Sequence, residues 1–285
     1  MVTIFTPTFN RKKEMTVLYE SLLSQTDKDF EWVVVDDGSA DGTEELMLEL
    51  KNKKEINITY YKQENSGKSM AHNKGAELAK GEVFICVDSD DYLKENAVKK
   101  IKEYYEKIKQ NSECCGLGFL AYDIAEKNLI GTAFPEDEMI ETYYNIYKKC
   151  SVSGDKALVF KTDVIKQYMF PRIEGEKFVP ENLVYNRISK RYKMLWINTE
   201  ILYKQYMQGG YSDNYFNLAK KNPKANVILY KELYDFDKSL YNVAAYDMFC
   251  MFSKMNFLQT IKGHPSTFKA IIMYFPSWLK YLQKK

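Results

Sequence analysis

Glu31-Trp32-Val33-Val34-Val35-Asp36-Asp37-Gly38-Ser39 is the stretch that decides the fold: an unbroken apolar run that stops abruptly at two carboxylates and a turn. A strand that is apolar on both faces must be covered on both, which is the environment of a parallel sheet between two helical layers. Shorter runs of the same kind stand at Val2 to Thr6, Asn57 to Tyr61 and Glu82 to Val87. Segments of helical periodicity alternate with them, near Lys13 to Ser24, Thr43 to Leu50 and Ser69 to Lys80, and another follows at Glu95 to Gln110. This alternation predicts a Rossmann-like, mostly parallel α/β sheet flanked by helices.

Ligands of open α/β sheets gather beyond the carboxyl ends of the strands. Three polar loops belong to that edge, Pro7 to Asn10, Asp36 to Asp41 and Asp88 to Asp91, so they are expected to converge on one crevice. In Asp88-Ser89-Asp90-Asp91, residues two apart in an extended chain share a side, which would aim Asp88 and Asp90 at one site. Two carboxylates there suit Mg²⁺ or Mn²⁺, hard ions that complete their oxygen shell with a substrate's phosphates. A solvated acidic turn ahead of the helix at Glu95 is the competing reading. In Asp36 to Thr43 the glycines permit a tight turn, Ser39 or Asp41 can cap the next helix, and a carboxylate can accept the N–H of a flat nucleobase. Asn65-Ser66-Gly67-Lys68 opens the third helix with a flexible residue and a cation suited to a base or phosphate. His72, one turn later, reads as a packed or exposed residue rather than a catalyst, and two histidines in the whole chain cannot build a metal site alone.

Composition narrows the class. The net charge is +2, and only four of the 41 basic residues are Arg, the side chain best suited to gripping base edges, so nucleic-acid binding is not expected. Five cysteines without paired spacing fit a reducing cytoplasm rather than a disulfide framework or zinc cluster. Arg11, Lys12 and Lys13 interrupt the N-terminal region before any run of signal-peptide length, and Ala270 to Leu279 is far short of a membrane span.

The motifs PTFNR, VVVDDGSADGT, NSGKSMAHNKGAELAKGE and VDSDD, in this order over about the first 110 residues, resemble those of family 2 glycosyltransferases. The resemblance implies the GT-A fold, a nucleoside diphosphate sugar donor (UDP-linked before GDP-linked), a D-x-D metal site for Mn²⁺ or Mg²⁺, and inversion at the anomeric carbon. Carried over by position, Pro7 and Thr8 line the nucleoside pocket and Asp37 binds the base with Gly67 and Lys68 beside it. Asn10, Asp88 and Ser89 complete the donor-binding set, and Asp90 binds the metal together with Asp88. His72 stands where many relatives carry Arg. The general base that such a transfer needs corresponds to Glu181, after Pro180 in a segment where relatives often have Glu-Asp and this chain has Glu181-Asn182; Asp155 is the reserve. Gln208-Gly209-Gly210-Tyr211-Ser212 resembles the small-residue segment that borders the pocket in relatives.

The expected organisation is a nucleotide-sugar half over residues 1–110, an acceptor half over 111–215 and a helical C-terminal extension over 216–285. The acceptor would be a hydroxyl of a glycan or lipid-linked glycan. A sugar nucleotidyltransferase would need an early Gly-rich phosphate loop, and Pro7 to Arg11 has no glycine; a non-catalytic donor-binding subunit is the remaining alternative. Residues 262–285 mix large apolar residues with lysines and are able to lie on the inner face of an anionic membrane or to pair two copies as a homodimer.

Overall fold

The structure, a computed structural model, describes residues 1–204 and 214–284. In chain order the elements of the first stretch are β1 (Val2–Thr8), α1 (Lys12–Leu23), β2 (Phe30–Asp36), α2 (Thr43–Lys53), β3 (Ile58–Lys62), α3 (Lys68–Leu78), β4 (Val83–Cys86), β5 (Tyr92–Leu93) and α4 (Ala97–Ile108). There follow β6 (Cys114–Asp123), β7 (Asn128–Leu129), β8 (Met139–Glu141), α5 (Tyr143–Lys148), β9 (Lys156–Lys161), α6 (Thr162–Gln167), α7 (Glu181–Ser189) and β10 (Lys193–Lys204). The C-terminal helices are α8 (Tyr215–Lys221), α9 (Pro223–Phe236), α10 (Leu240–Phe252), α11 (Phe257–Gly263) and α12 (Thr267–Lys284). The chain divides into two compact units, Met1–Phe170 with Arg187–Met207, and Pro171–Asn186 with Gln208–Lys285.

The first unit is a mixed α/β structure whose sheet runs β3-β2-β1-β4-β9-β6-β10-β5, with β7 on β6 and β8 on β10. Its first four strands are parallel, as their continuous apolar character demands. β9 runs antiparallel to both β4 and β6, and β10 returns parallel to β6. Strands β1, β2, β4, β6 and β10 therefore end at one edge of the sheet, and β9 begins there. Alternate residues feed two layers. Ile4, Trp32, Val34 and Ile85 pack into the larger core with Met15 and Leu18 of α1 and Val98 and Ile101 of α4.

The opposite face carries α3, whose small residues let its backbone approach the sheet. A Cβ on Gly75 would stand 2.2 Å from the Phe5 ring, so only glycine fits there without displacing α3. One turn earlier His72, 4% exposed, meets the rings of Phe5, Phe84 and Phe170 edge to face at 5.5, 5.2 and 5.0 Å. It is a core aromatic, which settles between the packed and exposed positions that the sequence leaves open. The C-terminal unit is helical: α9 and α10 stack Tyr230 on Phe249, and Tyr234, Val243, Ile261 and Ala270 form its small core. All five cysteines are free, and among the described residues no helix is long and apolar enough to cross a membrane.

Burial first, then the nearby Lys68 cation, hold the His72 pKa down to about 3. The unfolded chain takes up this proton near 6.5 and the folded chain does not until about 3, so stability is full above pH 6.5 and falls as pH drops through that window. Each pH unit there is worth at most about 1.4 kcal/mol. The expected result is that His72→Leu flattens the pH dependence of the urea midpoint between pH 6 and 4 relative to wild type; parallel curves would show that the imidazole does not titrate on unfolding.

Candidate functional site

β1 and β2 release their chains at the same level, with Thr8 registered on Asp36, and the ladder runs one step further through the Asp37 N–H to the Thr8 carbonyl (2.8 Å). The two loops that follow are stitched together by Asn10. Held at a φ of 53°, it donates its N–H to Ser39 Oγ and accepts the Ala40 N–H at Oδ1, both at 2.8 Å. Asp41 closes the seam, accepting from the Lys12 N–H (2.9 Å) and capping α2 through the Thr43 N–H (3.1 Å).

The two carboxylates that end β2 have different tasks. Asp36 shapes its own turn, accepting from the Ser39 N–H (2.7 Å) and the Tyr60 hydroxyl (2.7 Å). Asp37, 5% exposed, reaches across to the third loop: Oδ1 accepts from Gln63 Nε2 and the Ser66 N–H, and Oδ2 from the Gly67 N–H, all at 2.8 Å. Gly67 is the cap residue of α3, at a φ of 90° that only glycine adopts readily. A buried carboxylate thus holds the N-terminus of a helix 30 residues away, where the helix dipole favours negative charge. Oδ2 accepts this one hydrogen bond, fewer than a carboxylate oxygen can take. At the same edge the Thr8 hydroxyl is buried with no hydrogen-bond partner among the described residues.

This tether delivers Lys68, the first residue of α3, whose Nζ lies 2.7 Å from Asp88 Oδ1. The run after β4 differs from the extended geometry expected of it. Pairing with β1 ends at Cys86, and Asp88 to Asp91 fold into a turn closed by the Asp91 N–H on the Asp88 carbonyl (3.0 Å), as four short polar residues favour. Strict alternation is lost, Ser89 is buried, and Asp91 turns inward to form an ion pair with Lys204 at 2.9 Å. Lys204 ends β10, and its Nζ also lies 3.5 Å from Asp155 Oδ2, just before β9. Lys68, Asp88, Asp90, Asp91, Asp155 and Lys204 thereby form one charged cluster at the carboxyl edge.

Its electrostatics are unbalanced toward negative charge. Burial opposes ionisation of Asp88, but Lys68 and Lys204 outweigh it and hold the carboxyl below its usual range. Asp90 moves the other way, raised by burial and then by the charge of Asp88. Burial, with Asp88 and Asp90 nearby, pushes Asp91 up to about 7 despite Lys204. Burial alone would strip the proton from Lys204, yet Asp91, Asp88 and Asp155 keep it firmly bound. Among the described residues no three metal-binding side chains form a ready-made cage. Two carboxylates, one of them raised by burial and then by its neighbour's charge, instead fit a hard divalent ion that takes its other ligands from a bound phosphate.

Of the residues singled out in the sequence, the structure brings Lys68, Asp88 and Asp155 to this edge, joined by Lys204, to which the sequence assigns no role, and by Asp91 as an ion-pair partner rather than only a loop residue. The available signal for Lys204 was a lysine closing a long apolar strand, meaningful only once that strand is known to end at this edge. Glu181 is the exposed first residue of α7 and belongs to the second unit. Gln208 to Ser212 lie outside the described residues.

Residues 3–168 match the model of the family described as Glycosyl transferase family 2. A glycosyltransferase of Escherichia coli, the UDP-Glc:α-D-GlcNAc-diphosphoundecaprenol β-1,3-glucosyltransferase WfaP, is 28% identical over 218 residues, 76% of this chain and 81% of that protein. Among solved structures, residues 1–349 of Staphylococcus aureus TarS in complex with UDP superpose with a TM-score of 0.66 at 19% identity, covering 100% of this chain and 92% of that fragment. The Pyrobaculum calidifontis mannosyltransferase PcManGT, crystallised with GDP-Man and Mn²⁺, does so at 0.57 and 16%, covering 99% of this chain and 79% of that one. These two share the fold, GT-A as the family implies. With more than half of its length matched by the family model, the chain belongs to glycosyl transferase family 2 and is a glycosyltransferase.

Proposed function

We propose that this enzyme transfers one sugar from a nucleoside diphosphate sugar, UDP-linked, to a hydroxyl of a glycan or lipid-linked glycan, with inversion and with help from Mn²⁺ or Mg²⁺. The observation that carries the reading is the charge cluster at the carboxyl edge, where Lys68 pairs with Asp88 beside the loop tethered by Asp37. The UDP bound by TarS supports the choice of nucleotide, and the diphosphoundecaprenol acceptor in the name of WfaP supports a lipid-linked acceptor.

In this proposal the uracil N–H donates to the remaining acceptor position of Asp37, and the buried Thr8 hydroxyl, beside Pro7, gains its missing partner from the nucleoside. Asn10 acts from behind, fixing the two loops against one another. Asp90 and Asp88 would hold the divalent ion, which when bound offsets the charge of the diphosphate as it leaves. Lys68 shifts part of its charge from Asp88 to a phosphate oxygen, and Ser89 supports the turn from its buried position. The acceptor oxygen bonds to the anomeric carbon from the face opposite the diphosphate. The bond from that carbon to the diphosphate oxygen breaks with its electron pair, and the acceptor's proton passes to a carboxylate. Glu181 is proposed as that base, with Asp155 as the alternative.

Calorimetric titration of UDP with and without Mn²⁺ tests the donor site. Asp90→Ala is expected to remove the metal-dependent part of binding, and Lys68→Ala to weaken UDP about tenfold or more, the worth of a hydrogen bond to a charged group. Titration curves unchanged by Asp90→Ala would refute the metal role.

Turnover of UDP-sugars with a membrane extract as acceptor tests the chemistry. Glu181→Ala is expected to lower kcat by about a hundred- to ten-thousand-fold while UDP affinity stays within a factor of two or so. Full turnover in Glu181→Ala with loss in Asp155→Asn would move the base to Asp155. Wild type that binds UDP but neither transfers nor hydrolyses any donor would identify a binding subunit instead.

A further inference from the structure

α12 buries the wrong face for a helix bathed in water. Its inward face is narrow: Ala270 and Ser277 are fully buried, Ala270 and the half-buried Met273 join Val243 and Ile261 in the core of the second unit, and Tyr274 and Tyr281 pack on Phe257 and Phe252. Its large apolar residues, Phe268, Ile271, Ile272, Phe275, Trp278 and Leu279, point outward and are between 40% and 73% exposed. Their spacing of three and four residues keeps them on one stripe that runs the length of the helix, with Phe275 stacked on Trp278 at 5.8 Å. Soluble proteins rarely leave so continuous an apolar surface uncovered.

The charge of the sequence that carries the stripe selects what covers it. After Asp247 the sequence contains six lysines (Lys254, Lys262, Lys269, Lys280, Lys284 and Lys285) and no Asp or Glu. A second copy seated on this stripe would bring two purely cationic segments together, and like charges across an interface are unfavourable. A bilayer of anionic phospholipid offers hydrocarbon to the stripe, an interface to Trp278 and opposite charge to the lysines. α12 is too polar to span it. We propose that α12 is an in-plane anchor that lays its Phe268 to Leu279 stripe into the surface of an anionic bilayer. The inference rests on the second unit alone and does not depend on the donor or base assigned above.

Trp278 supplies a direct readout, because the other two tryptophans, Trp32 and Trp196, are 0% exposed. The full chain is mixed with vesicles of phosphatidylcholine alone or with phosphatidylglycerol added, then followed by flotation and tryptophan emission. It is expected to float only with phosphatidylglycerol, less so in 0.5 M salt as screening predicts (about 4 Å Debye length), with a blue shift that Trp278→Phe abolishes while flotation persists. Phe275→Ser with Trp278→Ser, both at exposed positions, should cut partitioning about tenfold or more with an unchanged urea midpoint. Failure of the wild type to float with phosphatidylglycerol overturns the proposal, as does flotation that the double substitution leaves intact. A wild-type dimer in light scattering that the double substitution dissociates, without flotation, would assign the stripe to a second copy and equally overturn it.

Discussion

Three carboxylates within four residues at the end of β4 are the constraint on which the site depends. Two unit charges about 4 Å apart near a protein surface interact with roughly 4 kcal/mol, so Asp88, Asp90 and Asp91 cannot all ionise side by side without cations brought to them. The fold brings two from distant parts of the chain, Lys68 at the start of α3 and Lys204 at the end of β10. Asp155 joins the second of these, leaving four carboxylates around two ammonium groups. Asp90 is raised by burial and then by the charge of Asp88, which Arg11 and Lys204 only partly offset.

That arrangement requires Lys68 to be held in position, which the backbone around Gly67 cannot do by itself. A glycine at positive φ is permissive and so the loop is free to move unless something external fixes it. Asp37 does this with hydrogen bonds to Gln63, Ser66 and Gly67 in a nearly dry setting, where an unmade hydrogen bond is costly. Asn10 does the same for the two loops beside it. The carboxyl edge of the sheet is thus preorganised by polar side chains whose partners are other loops of the protein.

This division of labour explains how much was legible in the sequence. β1 to β4 and the helices between them announce themselves because each is a local pattern: an apolar run covered on both faces, or an amphipathic stripe. The turn at Asp88 was read as extended chain because the strand rule was carried two residues too far, past the point where pairing with β1 ends at Cys86. Lys204 was invisible for a different reason. Its partner Asp91 lies far away in sequence, and only the antiparallel insertion of β9 between β4 and β6 tells which end of β10 reaches the site. The hydrogen bonds by which Asp37 and Asn10 hold neighbouring loops are not legible in the sequence, because their partners lie about 30 residues away.

The two units use the same packing device with opposite outcomes, which bears on α12. In α3 the small residues Ala71, Gly75 and Ala76 face the sheet and permit a close backbone approach, while the outward positions carry Lys74 and Glu77, as water requires. In α12 the small residues Ala270 and Ser277 also face inward, yet the outward positions carry phenylalanine, isoleucine, tryptophan and leucine. Close packing accounts for the inner face of both helices and for the outer face of neither. What differs between them is the medium that the outer face must meet: α3 is patterned for water, and α12 is patterned for hydrocarbon bordered by negative charge.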